Sequence, residues 1–237
     1  MNMDSNARLL IHPSHHPSPF TSSVSDVNED WIRLDSTEFY PTGGGQPHDT
    51  GSMSWIDGQC RVIDVKGRNE VFHQVEGDIP VVGTVVDCSI DAPRRLRLAQ
   101  MHTAQHLASA LAHEVWGAET VGNQIGLETT RIDLKFENRD AFIPSELIDR
   151  INDEIKSNHN VHMDHRSLDD LRNDSNVRIN LDRIPNVSSL RTIEIEGIDV
   201  CPCAGTHVES TGEIPKIGVD RVKSKGAGKL RVSYRFL

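Results

Sequence analysis

The chain has 237 residues and a formal net charge of −10, with 36% hydrophobic and 25% charged residues. That length allows one large domain or two modest ones with a real core, and so acidic a balance excludes a simple nucleic-acid coat, leaving polyanion contacts to local basic patches. No run of about 18 apolar residues is present to span a membrane, and Met1 to Phe20 lacks the apolar core of a secretory signal. Cys60, Cys88, Cys201 and Cys203 are therefore expected reduced, in cytoplasmic surroundings, and free for metal binding, nucleophilic chemistry or burial.

In chain order, the tract His12 to Pro17 is polar and Pro-rich and reads as a loop. Up to about Ile90 the chain reads as β. Trp31 to Asp35 alternates, as do parts of Cys60 to Val65, Val71 to Val75 and Thr84 to Ile90. Turns at Asp57-Gly58, Lys66-Gly67 and Glu76-Gly77-Asp78 separate these segments. Short strands with frequent turns predict a small barrel, interrupted by Thr42-Gly43-Gly44-Gly45-Gln46-Pro47. That tract lacks Gly-Lys-Ser/Thr, so it is read as a turn needing positive φ and not as a nucleotide-phosphate cradle.

The pattern changes at Asp91-Ala92-Pro93. Asp91 can cap a helix and Pro93 suits its first turn, so a helix is expected to about Trp116, with Gly117 as its stop. Its apolar positions cover more than one stripe, which predicts burial on most sides. Ile132, Leu134 and Phe136 then alternate as a strand. Leu147, Ile148, Ile151 and Ile155 recur at helical spacing after Pro144-Ser145, Val161 to His165 and Arg191 to Ile198 read as strands, and the end reads as a hairpin, with Leu230, Val232, Tyr234 and Phe236 pointing one way and Arg231 and Arg235 the other. The expected fold is α+β: a small β-barrel domain over residues 1–91, then an α+β domain over residues 92–237 built around the central helix.

His102 and His106 lie four apart on that helix, on one face and about 6 Å apart along the axis. Thr103 follows His102 where a metalloprotease signature has Glu, so that class is excluded. In Cys203-Ala204-Gly205-Thr206-His207 a thiolate and an imidazole bracket a turn. Three nitrogens and one sulfur make a tetrahedral set suited to one zinc ion per chain, with a charge of about +1 that suits an anionic or carbonyl ligand. Cys201 reads as a buried thiol. His113 is about 10 Å along the helix from His106, too far to share bonds of ~2 Å. Two basic groups stand out, Arg94 with Arg95 and Arg97, and the stretch from Lys216 to Arg235 with Lys223, Lys225 and Lys229. Each is either a solvated face or a phosphate footprint.

The segment His102-Thr103-Ala104-Gln105-His106, the segment Cys203-Ala204-Gly205-Thr206-His207 and the tract Phe39-Tyr40-Pro41-Thr42-Gly43-Gly44-Gly45-Gln46-Pro47-His48-Asp49-Thr50-Gly51 together resemble the editing region of alanyl-tRNA synthetase. Lacking the aminoacylation domain, the chain is most similar to the AlaX family of free-standing editing proteins, in its medium-sized form. The resemblance implies zinc-dependent, ATP-independent hydrolysis of mischarged alanine tRNA in protein biosynthesis, chiefly the seryl form and sometimes the glycyl form. It implies His102, His106, Cys203 and His207 as zinc ligands, with no obligatory protein partner. It also implies that Gln124 lines the substrate pocket and that the glycine-rich tract, through Thr42 or Gln46, bears on specificity. The sequence departs from the family at Ala204, where glycine is usual and which requires negative φ, and at Leu127, where serine is usual. A non-catalytic, zinc-stabilised tRNA-binding module and a zinc hydrolase of small esters or amides are the competing readings.

Overall fold

The computed structural model describes residues 15–67, 70–174, 176–177, 189–226 and 228–237. Of the tract His12 to Pro17, His12, Pro13 and Ser14 lie outside the described residues. The chain divides into two compact units, Met1–Arg97 and Leu98–Leu237.

In the first unit six antiparallel strands close into a barrel: β1 (Phe20–Asn28), β2 (Trp31–Leu34), β3 (Gly51–Trp55), β4 (Gly58–Gly67), β5 (Val71–Gly77) and β6 (Val85–Ile90). Their order is β1-β2-β5-β4-β3-β6, and β6 returns to pair with β1, Phe20 opposite Cys88. Closure leaves no unpaired edge among them. Alternation builds the core: in β6, Val86, Cys88 and Ile90 are buried between exposed Val85, Asp87 and Ser89. They meet Val24, Ile32, Leu34, Phe39, Met53 and the inward valines of β4 and β5. The expected barrel is therefore present. Two strands are illegible in the sequence: β1 is mostly polar and bulged between Val24 and Asp26, and β3 buries only Met53. The glycine-rich tract forms a two-residue turn. Gly43 and Gln46 exchange backbone hydrogen bonds of 3.0 and 2.8 Å, and Gly44 and Gly45, at φ 57° and 85°, supply its left-handed residues.

Helix α1 (Ala92–Trp116) gives its first residues to this unit and the rest to the second. Asp91 Oδ1 accepts from Arg94 N at 3.1 Å, and Gly117, at φ 61°, closes the far end. From Leu98 to Ala108 every residue except Gln100 is buried, as the broad apolar pattern predicts. The second unit then runs β7 (Glu119–Gln124), β8 (Thr130–Lys135), α2 (Pro144–Ser157), β9 (Val161–Arg166), α3 (Leu168–Arg172), β10 (Leu190–Ile195), β11 (Asp199–Pro202), β12 (Ile217–Ser224) and β13 (Lys229–Phe236). One sheet has the order β12-β13-β8-β7 and the other β11-β10-β9. Tyr234 of β13 donates to Met101 O at 2.9 Å, tying the first sheet to α1. Among the described residues no helix is long and apolar enough to cross a membrane, and all four cysteines are free.

Candidate metal centre and its surroundings

His102 and His106 stand one turn apart on α1, and Cys203 and His207 lie on the loop after β11. Pro202 ends the β11 ladder. Cys203 keeps one last bond, N–H to Arg191 O at 3.1 Å, before the chain turns and Gly205 N–H points at Cys203 Sγ from 3.3 Å. One donor atom from each of the four residues lies within 4.8 Å of the others. Sγ is 3.6 Å from His102 Nε2 and 3.4 Å from His207 Nε2. A tetrahedron with bonds of ~2.0 Å to nitrogen and ~2.3 Å to sulfur has mixed edges of about 3.5 Å, so these residues fit a zinc-sized cation. Ala204 meets its requirement: Glu29 and Asn158 are the non-glycine residues with positive φ among those described.

Second partners set which nitrogen each ring offers. Thr103 Oγ1 donates to Ala99 O at 3.0 Å, so toward His207 Nδ1, 3.1 Å away, it accepts. The Nδ1 proton is thereby fixed and the Nε2 lone pair turns to the cluster. Asp199 Oδ2 does the same for His106 Nδ1 at 3.1 Å. Burial lowers His207 well below the usual imidazole range, keeping it neutral. For His106 burial also acts downward, but Asp199 and Cys203 outweigh it and lift the ring to about 10, so its Nε2 lone pair is offered when a cation takes the place of that proton. Burial would raise the Cys203 thiol, yet His102 and His207 hold it well below its ordinary value, as a thiolate. Cys201 goes the other way, raised by burial and by Asp199.

Thr103 and Asp199 were not singled out from the sequence. The i+1 position on a helix gives no hint of a bond to a residue more than a hundred positions away, whereas Asp199 carries a weak signal, an acid in the apolar run Ile198 to Cys201. Strand alternation separates the neighbours Asn123 and Gln124. Half-buried Asn123 donates from Nδ2 to Gln105 Oε1 at 3.3 Å, beside His106 in sequence. Gln124 is exposed and its Oε1 accepts from Arg131 Nε at 2.8 Å, on the opposite face. Thr42 and Gln46 belong to the first unit, Thr42 with Oγ1 3.2 Å from His48 Nδ1 and Gln46 fully buried.

Within the first basic group the structure sets Arg95 apart. Arg95 is 1% exposed; its Nε donates to both carboxylate oxygens of Asp49 at 3.0 and 3.1 Å, and it has no surface for phosphate. Arg94 is half-buried and donates to His48 O from Nε and Nη2, and Arg97 is half-buried. On the hairpin, Lys223 and Lys225 are exposed and Lys229 half-buried. Pairing puts Lys223 opposite Arg231, Lys229 opposite Lys135 and Ser233 opposite Arg131, so one sheet face carries Lys223, Lys229, Arg231, Arg131 and Lys135. Arg231 is held by Asp133 at 2.7 and 2.8 Å. Arg131 and Lys135 could have been found from the alternation of Ile132, Leu134 and Phe136.

Comparison with known proteins follows the same division. The family described as tRNA synthetases class II (A) matches residues 4–94, and the threonyl and alanyl tRNA synthetase second additional domain matches residues 190–233. The chain is 38% identical over 203 residues to an alanine–tRNA ligase of Methanopyrus kandleri, covering 82% of this chain but 22% of the ligase. It is 34% identical over 232 residues to an alanyl-tRNA editing protein AlaX-M of Methanosarcina acetivorans, covering 92% of this chain and 94% of that protein. The AlaX-M protein of Saccharolobus solfataricus is 34% identical over 221 residues, covering 91% and 92%.

Proposed function

We propose that this chain, which belongs to the AlaX-M family of alanyl-tRNA editing proteins, is a zinc-dependent hydrolase that removes wrongly attached serine, and also glycine, from alanine tRNA. The observation that carries the reading is the donor quartet His102, His106, Cys203 and His207, with donor atoms within 4.8 Å of one another. A zinc ion held there would supply Lewis acidity to an ester carbonyl and acidity to a water. The chain's own groups supply the rest. Thr103 and Asp199 orient His207 and His106 and fix their tautomers. Cys203 contributes the single negative charge, so the centre suits the carbonyl and developing oxyanion of an aminoacyl ester.

Selectivity needs a polar group that serine satisfies and alanine does not. Asn123 suits that role better than Gln124: its Nδ2 is engaged by Gln105, leaving its carbonyl oxygen to accept from a serine hydroxyl. An acceptor that the bound substrate covers and alanine leaves unpaired rejects alanine by up to ~10⁴, where size alone gives far less. Thr42 and Gln46 remain candidate contacts on the strength of their motif. Phosphates are taken by Lys223, Lys225 and Lys229 with Arg131 and Lys135 beside them.

Four protein donors also favour a second reading, a non-catalytic tRNA-binding module, because structural zinc sites are usually closed in this way. Deacylation of seryl- and alanyl-tRNA by purified protein separates the two. Serine should be released much faster than alanine. Cys203→Ala with His207→Ala should lose both zinc and activity, and Asn123→Ala should lose selectivity with zinc retained while Gln124→Ala keeps it. Protein that binds zinc and tRNA but releases neither amino acid would establish the second reading, and equal rates on both esters would end the editing role.

A further inference from the structure

One end of the barrel exposes aliphatic side chains where polar loops are the rule. Twelve large hydrophobic residues are exposed among those described, and five of them, Ile56, Ile79, Val81, Val82 and Val85, fall in the β3–β4 turn, the segment joining β5 to β6 and the first residue of β6. Ile56 is 96% exposed and Val81 74%. With Trp55 and Pro80, all of them except Val82 line an open cleft of about 520 Å³, within the ~300–1,000 Å³ range of binding pockets. Its walls are pinned: Gly83 N–H bonds Val24 O at 2.8 Å, Thr84 N–H bonds Val81 O at 3.1 Å, and Asp78 bonds Gln59 N through its carboxylate and Gln59 O through its own N–H, at 3.0 and 3.1 Å. The cleft is therefore formed before any partner arrives.

Charge selects the partner. Residues 52–60 and 76–88 contain no Lys, Arg or His and four acids, Asp57, Glu76, Asp78 and Asp87. Arg61 pairs with Glu76 at 3.2 Å, leaving exposed Asp57 in the lining and exposed Asp78 and Asp87 within two residues of lining Ile79 and Val85. Phosphate is repelled here, so this is not a tRNA face, and two copies meeting through it would set acids against acids. An exposed apolar patch with a polar rim marks an interaction site. We infer that this end of the barrel docks a segment of another polypeptide whose apolar side chains are flanked by Lys or Arg.

The probe is a labelled synthetic helical peptide with a leucine face flanked by lysines, with the same leucines flanked by glutamates as its control. The full chain should bind the lysine peptide, with amide-exchange protection at Trp55 to Asp57 and Ile79 to Val85. Ile56→Ser with Val81→Ser, and separately Asp57→Lys, should each weaken binding by ~10-fold or more while leaving seryl-tRNA deacylation unchanged. Undiminished binding in those variants, equal binding of the glutamate peptide, or protection confined to β12 and β13 would overturn the inference. So would a sedimenting dimer of the unmodified chain that Ile56→Ser with Val81→Ser dissolves, because the occupant would then be a second copy.

Discussion

The donor quartet depends on residues that are not in it. Thr103 accepts from the His207 ring while donating to Ala99 O, and also accepts from Val208 N at 3.3 Å. Thr103→Val keeps the shape and removes all three bonds. It should weaken zinc binding by about 10–100-fold, measured by competition with a chelator, while Thr103→Ser should restore most of the affinity. An unchanged affinity in Thr103→Val would show that packing alone sets the ring. Another buried histidine, His73, serves the barrel. Its Nδ1 donates to Ile32 O at 3.3 Å and Thr37 Oγ1 lies 2.9 Å from Nε2. Burial pushes it down to about 4, only partly offset by the bond to Ile32. In the unfolded chain it titrates near ~6.5. The fold thus prefers the neutral ring, and its stability is complete above about 6.5 and falls as pH drops toward 4, by roughly 3 kcal/mol from this group. Urea midpoints at pH 7 and 5, followed by Trp31 and Trp55 in a Trp116→Phe background, should show this fall. His73→Asn should flatten it.

At the scale of elements, Arg95 shows how a basic cluster in sequence becomes a joint in the fold. It sits in the first turn of α1 and reaches Asp49, beyond the glycine-rich turn, and Glu38 O at 2.8 Å. Asp49 also accepts from Tyr40 N at 2.6 Å, so one carboxylate holds both the helix start and the approach to the turn. Arg95→Ala leaves a buried carboxylate unpaired and should cost about 3–5 kcal/mol in chemical denaturation. Arg95→Lys should recover little, because a point charge cannot replace the two-pronged contact. Full stability of Arg95→Ala combined with weaker tRNA binding would return Arg95 to the phosphate contacts.

At the scale of the whole molecule, a chain of net charge −10 must concentrate its cations to hold a polyanion. The face of β8, β12 and β13 does so, with Asp133 as the acid paired to Arg231. Replacing Lys223, Lys225 and Lys229 by Gln should weaken tRNA binding and flatten its dependence on salt by about 0.7–0.9 units of slope per lost contact. Adding Arg131→Gln and Lys135→Gln should flatten it further. A slope that does not move would identify these side chains as solvated surface.

Local rules carried a good part of this architecture. Asp91 and Gly117 marked the ends of α1 to within a residue, because caps are set by a residue's own side chain or φ. The pairs His102 with His106 and Cys203 with His207 were legible because each has a spacing that a single turn of chain brings together. The tertiary structure decided what no spacing encodes. It closed the barrel through β1 and β3, whose sequences are too polar to announce strands. It buried Arg95 against Asp49, turned Asn123 and not Gln124 toward Gln105, and brought Thr103 and Asp199 behind the rings. The physical reason is common to all: burial, tautomer and pairing are settled by groups distant in sequence, and only packing selects them.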